Sequence, residues 1–197
     1  MRLSAVILAG GRSRRMGRDK ALLPVSGHAT ALERQLALIA VAKPLEVLIS
    51  CRPGQRLPHP AGTRRVHDDG SKGPLAGVAA AMGAARGDAL LVLGIDLVRM
   101  TPHLLRRILG SVTRSGAAGV IPRVGGHAEP LASVLPRALA AQAVRQIEGG
   151  DLSLQTLARH AVAENLARWY DVPDYEAHAF ANWNHRSDVV PPVRGSA

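Results

Sequence analysis

Residues Leu8 to Lys20, Leu-Ala-Gly-Gly-Arg-Ser-Arg-Arg-Met-Gly-Arg-Asp-Lys, place glycines and cations directly behind the apolar run Ala5-Val6-Ile7-Leu8. Gly10 and Gly11 let the backbone take positive φ and come close to a ligand. Consecutive N–H groups in such a turn form a nest for an anion. Arg12, Arg14, Arg15 and Lys20 add the charge that a polyphosphate requires. Neither standard nucleotide loop is present. Gly17 is followed by Arg18-Asp19-Lys20, so there is no G-x-x-x-x-G-K-[ST], and no G-x-G-x-x-G occurs. A Gly-Gly turn with a solvated basic face accounts equally well for these residue types, so the loop alone leaves both readings open. Two more loops carry chemistry: Asp68-Asp69-Gly70-Ser71-Lys72-Gly73, and the stretch from Asp96 to Thr101. The histidines are scattered without metal-ligand spacing, and no Ser-His-Asp or Cys-His set is evident.

These loops need strands to hold them. Ala5–Leu8, Glu46–Ser50, Arg65–His67 and Ala89–Ile95 read as strands, the last apolar throughout, as in a parallel sheet covered on both faces. Further strands are expected at Ala118–Ile121, Leu131–Leu135 and Ala167–Val172. Thr30-Ala31-Leu32-Glu33 has the form of a capping box, and Leu32, Leu36, Ile39 and Ala40 follow at helical spacing. Pro74 opens an alanine-rich helix that ends before Gly87. Thr101-Pro102 starts a helix over His103–Leu109, and helices are expected at Arg137–Ile147 and Leu152–His160. The alternation predicts an α/β fold, with a mostly parallel central sheet and helices on both faces. In such sheets ligands bind beyond the carboxyl ends of the strands. Gly10–Lys20, Asp68–Gly73 and Asp96–Thr101 are then expected at one edge.

Composition sets the outer limits. The chain has 197 residues and is expected to form one domain over 1–190, with a loose tail at 191–197. Hydrophobic residues are 47% and aromatics 3%, so the core must be built from Ala, Leu and Val. A net charge of +10 favours polyanionic partners. Cys51 is the single cysteine, which excludes an intrachain disulfide and suits a reducing compartment. No membrane span or signal peptide is apparent, and a cytoplasmic location is expected.

The first loop resembles the signature L-A-G-G-x-S-x-R-M-G-x-D-K of the molybdenum cofactor guanylyltransferases, in the nucleotidyltransferase superfamily. Leu8, Ala9, Gly10, Gly11, Ser13, Arg15, Met16, Gly17, Asp19 and Lys20 fill every fixed position. Gly73-Pro74-Leu75-Ala76-Gly77 resembles the family's G-P-L-A-G segment. Asp68 stands where the family has a nucleotide-contacting aspartate, with Asp69 as a substitute. Leu91–Asp96 resembles the strand that ends in the magnesium-binding aspartate. Glu129-Pro130-Leu131 and Asn182-Trp183-Asn184 resemble acceptor-side elements. Departures occur at Gly94-Ile95, where many members have Pro-Cys, and at His185-Arg186, where Thr-Pro is usual. Ser50 and Cys51 stand where an asparagine contacts the nucleotide.

The resemblance implies a three-layer Rossmann-like nucleotidyltransferase fold and an enzyme that transfers GMP from GTP to molybdopterin or molybdenum cofactor, releasing pyrophosphate. It implies that Leu8, Ala9, Gly10, Gly11, Lys20, Asp68 and Asp96 bind nucleotide. Lys20, Arg15 and Asp96 carry catalysis, Asp96 holds Mg²⁺, and Glu129, Pro130, Asn182 and Asn184 face the acceptor. Proteins that deliver the acceptor or receive the product are implied as transient partners. Within enzymes, cytidylyl transfer to the same cofactor or nucleotidyl transfer to a sugar phosphate are the alternatives. An inactive relative is another. The net charge suggests a nucleic-acid-binding protein, but aromatics are scarce and no recognition module is evident.

Overall fold

In the computed structural model the described residues are 1–10, 19–25, 27–58, 60–68, 73–116 and 118–183. The expected tail at 191–197, Asn184, His185-Arg186, Asp69 and the loop positions from Gly11 to Arg18, Arg15 among them, lie outside these residues.

An eight-stranded sheet organises the chain. Strand β1 (Leu3–Leu8) lies between β2 (Glu46–Cys51) and β4 (Ala89–Gly94), and β3 (Thr63–His67) flanks β2; all these pairs are parallel. Beyond β4 runs β7 (Val134–Pro136), antiparallel to it and to β5 (Gly119–Val124). The short β6 (His127–Ala128) pairs with β5 as a hairpin, and β8 (Ala167–Asp171) pairs with β5 in parallel.

The side chains of β1 and β4 alternate between two cores. Ala5, Ile7, Leu91 and Leu93 point to one face, against α1 (Ala31–Ile39) and α3 (Pro102–Ser115). Val6, Leu90 and Val92 point to the other, against α2 (Gly73–Ala84), α4 (Ala140–Glu148) and α5 (Leu154–Ala163). This period of two explains why β4 is apolar at every position: both of its faces are buried. The result is the three-layer α/β architecture. Each buried leucine or isoleucine contributes roughly 1.5–3 kcal/mol, so many aliphatics stand in for the missing aromatics.

The caps read from sequence are made. Thr30 Oγ1 accepts from Glu33 N–H at 3.1 Å, and Thr101 Oγ1 accepts from Leu104 N–H at 3.1 Å. Three expectations shift. The helix after Thr101 runs to Ser115 rather than Leu109, because Leu104, Leu105, Ile108 and Val112 continue one buried stripe. Leu131 is not in a strand. Pro130–Ala132 forms a 3₁₀ turn closed by Ser133 Oγ on the Pro130 carbonyl at 2.7 Å, so the strand starts only at Val134. The β5–β6 hairpin was not expected, although Gly125 and Gly126 between them hold φ of 54° and 83°, the demand of a two-residue turn.

At the opposite end of the sheet from the candidate loops, Glu46 ties four segments together. Its buried carboxylate accepts from Ser4 Oγ at 3.0 Å, from Arg86 N–H at 2.6 Å and from the Arg64 guanidinium. Burial alone would raise its pKa; the Arg86 N–H, Ser4 and Arg64 outweigh burial and hold it below the usual glutamate value. A depressed folded-state pKa gives stability that is present above the unfolded value and lost as pH falls through the folded one. Glu46→Gln is therefore expected to cost about 1–3 kcal/mol near neutrality. The gap from the unmodified protein should close as pH falls below the ordinary glutamate range. Urea unfolding of both proteins across pH 7 to 3 checks this, and a gap that stays constant would contradict it.

Candidate active site

The carboxyl ends of β1, β2 and β4 are stitched together by main-chain bonds. Ile95 N–H donates to the Leu8 carbonyl at 3.2 Å, and Ala9 N–H donates to the Ser50 carbonyl at 2.9 Å. The glycine-rich loop thus leaves the sheet at its centre, from a fixed point. Asp68 follows β3, and its own N–H donates to the Cys51 carbonyl at 3.2 Å. Asp68 is 9% exposed, and its carboxylate accepts from Ser50 Oγ. A Cβ added at Gly10 would lie 3.1 Å from Asp68 Oδ2. One added at Gly77 would lie 2.6 Å from Ser50 Oγ and 3.2 Å from Asp68 Oδ2. Both glycines are therefore packed against this carboxylate. At Gly77 a side chain would force Ser50 to move, and at Gly10 it would crowd the Asp68 carboxylate, so close approach rather than backbone freedom favours glycine at both.

Lys20 opens the 3₁₀ turn Lys20–Leu22, which Asp19 caps by accepting from Ala21 N–H at 3.0 Å. The Lys20 ammonium donates to the Trp183 carbonyl. Trp183 N–H in turn donates to the Asp96 carbonyl at 3.2 Å. A single residue of the C-terminal segment therefore joins the lysine behind β1 to the aspartate behind β4. Asp96 is half-buried, and its Oδ1 lies 2.8 Å from where a Cβ of Gly94 would stand. Gly94 leaves the room that this carboxylate uses.

Glu129 reaches the same neighbourhood from the β5–β6 hairpin, with its N–H on the Pro122 carbonyl at 2.8 Å. Burial pushes its carboxyl above the usual glutamate range; His127 draws it down, and the charge of Asp96 raises it. Pro130 is buried beside it, and Leu131 Cβ is 3.3 Å from the Cβ position of Gly94. Asn182 is exposed, next to the buried Trp183. Leu8, Ala9, Gly10, Lys20, Asp68, Asp96, Glu129, Pro130 and Asn182 are thus all drawn to the end of the sheet where the parallel strands finish.

Gln55 was not singled out from the sequence, and Trp183 was named only as the middle of Asn182-Trp183-Asn184. Gln55, in the loop after β2, donates to the Ala9 carbonyl at 2.9 Å and to Asp19 Oδ2 at 2.6 Å. Its partners are a main-chain carbonyl and a residue 36 positions away, so no spacing pattern announces it. Trp183 reads as a packing residue and is buried, but its main chain links Lys20 to Asp96.

Among the described residues no group of three or more His, Cys, Asp or Glu side chains could hold a metal. Asp96 with Glu129 nearby is a sparse carboxylate set. It suits Mg²⁺, which takes few protein carboxylates and completes its shell with phosphate oxygens and water. No helix among the described residues is long and apolar enough to cross a membrane.

Comparison with known proteins agrees with this arrangement. Residues 5–167 match the family described as the MobA-like NTP transferase domain. A probable molybdenum cofactor guanylyltransferase of Opitutus terrae is 34% identical over 192 residues, covering 94% of this chain and 92% of that protein. The molybdenum cofactor guanylyltransferase of Pseudomonas paraeruginosa is 37% identical over 158 residues, 76% of each chain. Among solved structures, molybdopterin-guanine dinucleotide biosynthesis protein A of Archaeoglobus fulgidus superposes with a TM-score of 0.69 at 21% identity, covering 94% of both chains. The 2-C-methyl-D-erythritol 4-phosphate cytidylyltransferase of Thermus thermophilus superposes at 0.67 with 20% identity, covering 93% of both. These two structural likenesses establish the fold and do not choose a base. At the identities found over most of its length, the chain belongs to the MobA-like NTP transferase family and, within it, to the molybdenum cofactor guanylyltransferases.

Proposed function

We propose that this protein transfers GMP from GTP to the terminal phosphate of molybdopterin or its molybdenum-bearing form, in the cytoplasm, with Mg²⁺ bound at Asp96. The observation that carries this reading is the Lys20–Trp183–Asp96 link. It ties the Lys20 ammonium to the main chain of Asp96, which supports a reading in which a cation for phosphate and a carboxylate for a metal act at the same end of the sheet. In the reaction an acceptor phosphate oxygen forms a bond to the α-phosphorus of GTP, and the bond from that phosphorus to the bridging oxygen breaks. Pyrophosphate leaves with that electron pair. The attacking group is already anionic, so no general base is needed, and positioning and charge neutralisation carry the catalysis. Lys20 offsets phosphate charge. Bound Mg²⁺ would supply further neutralisation of the triphosphate.

The choice of base rests on what the strand ends have left to offer. The Ala9 N–H is spent on Ser50, whereas the Leu8 and Ala9 carbonyls each accept one bond among the described residues. A carbonyl has a second lone pair. An edge of acceptors suits guanine, whose pairing edge presents two donor groups, better than cytosine, which presents one. Buried groups left unpaired make such discrimination steep. With GTP and CTP in competition for molybdopterin, GMP incorporation is expected to exceed CMP incorporation by about a hundredfold or more, the scale of one or two buried hydrogen bonds. Equal incorporation would refute the guanine assignment.

A further inference from the structure

We infer that Gln55 is a positioning residue for nucleotide binding: its carboxamide clamps together the two ends of the glycine-rich loop. The inference rests on the nucleotidyl-transfer reading above. One N–H of the Gln55 amide goes to the Ala9 carbonyl, where the chain leaves β1, at 2.9 Å. The other goes to Asp19 Oδ2, where the chain returns, at 2.6 Å. The amide nitrogen has two hydrogens, and both are committed. The residue itself is held: Gln55 Oε1 accepts from Arg52 N–H at 3.0 Å, and the Gln55 main-chain N–H donates to the Arg52 carbonyl at 3.1 Å. A half-buried side chain on a surface loop thus forms a bracket fixed at its own base.

The bracket bears on Lys20 through one bond. Asp19 gives one carboxylate oxygen to Gln55 and the other to Ala21 N–H, the cap of the turn that carries Lys20. Gln55 therefore sets the orientation of Asp19, and Asp19 sets the turn. Holding Ala9 to Asp19 removes loop-closure entropy that GTP would otherwise have to overcome on binding. Gln55 is not required to touch the reacting atoms. Its effect is expected on the affinity for GTP and not on the acceptor.

The chemistry of the clamp supplies its own control. Gln55→Glu keeps the shape but removes both donors and sets a carboxylate against Asp19. Adding Asp19→Asn restores a donor: the introduced amide can give a hydrogen to the introduced carboxylate, while the amide oxygen still caps Ala21. The double variant carries the same net charge as the unmodified protein.

The test compares the unmodified protein, Gln55→Ala, Gln55→Glu and the double variant in steady-state GMP transfer, varying GTP and molybdopterin separately. Amide hydrogen exchange over residues 8–20 is followed without any nucleotide. Gln55→Ala is expected to raise KM for GTP about tenfold, with KM for molybdopterin within about twofold, and to speed exchange in the loop. Gln55→Glu should be worse than alanine, and Asp19→Asn should recover part of that loss, as coupled neighbours do. An unchanged KM for GTP in Gln55→Ala overturns the inference, and so does a double variant no better than Gln55→Glu. If the unmodified protein transfers no GMP, the proposed reaction fails and the exchange rates decide the clamp: faster loop exchange in Gln55→Ala upholds it, unchanged exchange overturns it.

Discussion

Asp96→Asn is expected to lower turnover about a thousandfold while shifting the melting temperature little. The substitution keeps the size of the side chain and its capacity to accept a hydrogen bond. It removes the negative charge that Mg²⁺ requires of its few protein ligands. A thousandfold loss corresponds to about 4 kcal/mol of transition-state stabilisation. That is a reasonable share for a step in which charge on a triphosphate must be neutralised. The fold should tolerate the change, because Asp96 is only half-buried and the bond from Trp183 goes to its main-chain carbonyl. Kinetics with Mg²⁺ titrated over a wide range, alongside a thermal melt, measure both parts. Near-normal Mg²⁺-dependent turnover would move the metal elsewhere, with Asp68 or Glu129 next to be tried.

Lys20→Ala is expected to cost about 1.5–3 kcal/mol in binding or turnover of GTP, roughly tenfold to a hundredfold or more, for loss of a charge-assisted contact to phosphate. The same change also removes the bond from the lysine to the Trp183 carbonyl. The two losses separate in the measurements. A lost phosphate contact raises KM for GTP or lowers its turnover in a protein that melts as before. A lost structural tie lowers stability and affects both substrates alike. Unchanged kinetics in a folded Lys20→Ala protein would remove Lys20 from the site.

The parts of the fold that could be read in the sequence were those with a strong period or a strong cap. β4 is apolar at all six positions because helices cover both of its faces, and no other element type suits that run beside Gly and Asp. Thr30 and Thr101 announced two helices through their hydroxyls. The region from Pro122 to Pro136 was harder. Leu131-Ala132 looks like the start of a strand, but Pro130 lacks an N–H and Ser133 closes a 3₁₀ turn over it. Local polar chemistry there outweighs the apolar pattern.

At the site, glycines and charged residues that end apolar strands were legible because the parallel sheet gathers strand ends. The loops carrying Lys20, Asp68 and Asp96 were expected at one edge in this way, while the roles of these residues came from the family resemblance. Gln55 was not legible, and Ser50 stood out only as a replacement for an asparagine, because each acts by holding another group: Ser50 the carboxylate of Asp68, Gln55 the two ends of a loop. Such roles depend on register between segments 18 and 36 residues apart, which composition and spacing do not encode. Trp183 shows a different limit. Its residue type points to packing, while its backbone joins Lys20 to Asp96.

Guanylyl transfer is tested most directly by incubating the unmodified protein with Mg²⁺, molybdopterin and each nucleoside triphosphate in turn, then weighing the pterin product by mass spectrometry. GTP alone is expected to yield efficient conversion, with the mass of one GMP added to molybdopterin and one pyrophosphate released per product. A CMP, AMP or UMP adduct formed as readily as the GMP adduct, or no adduct with GTP, would contradict it.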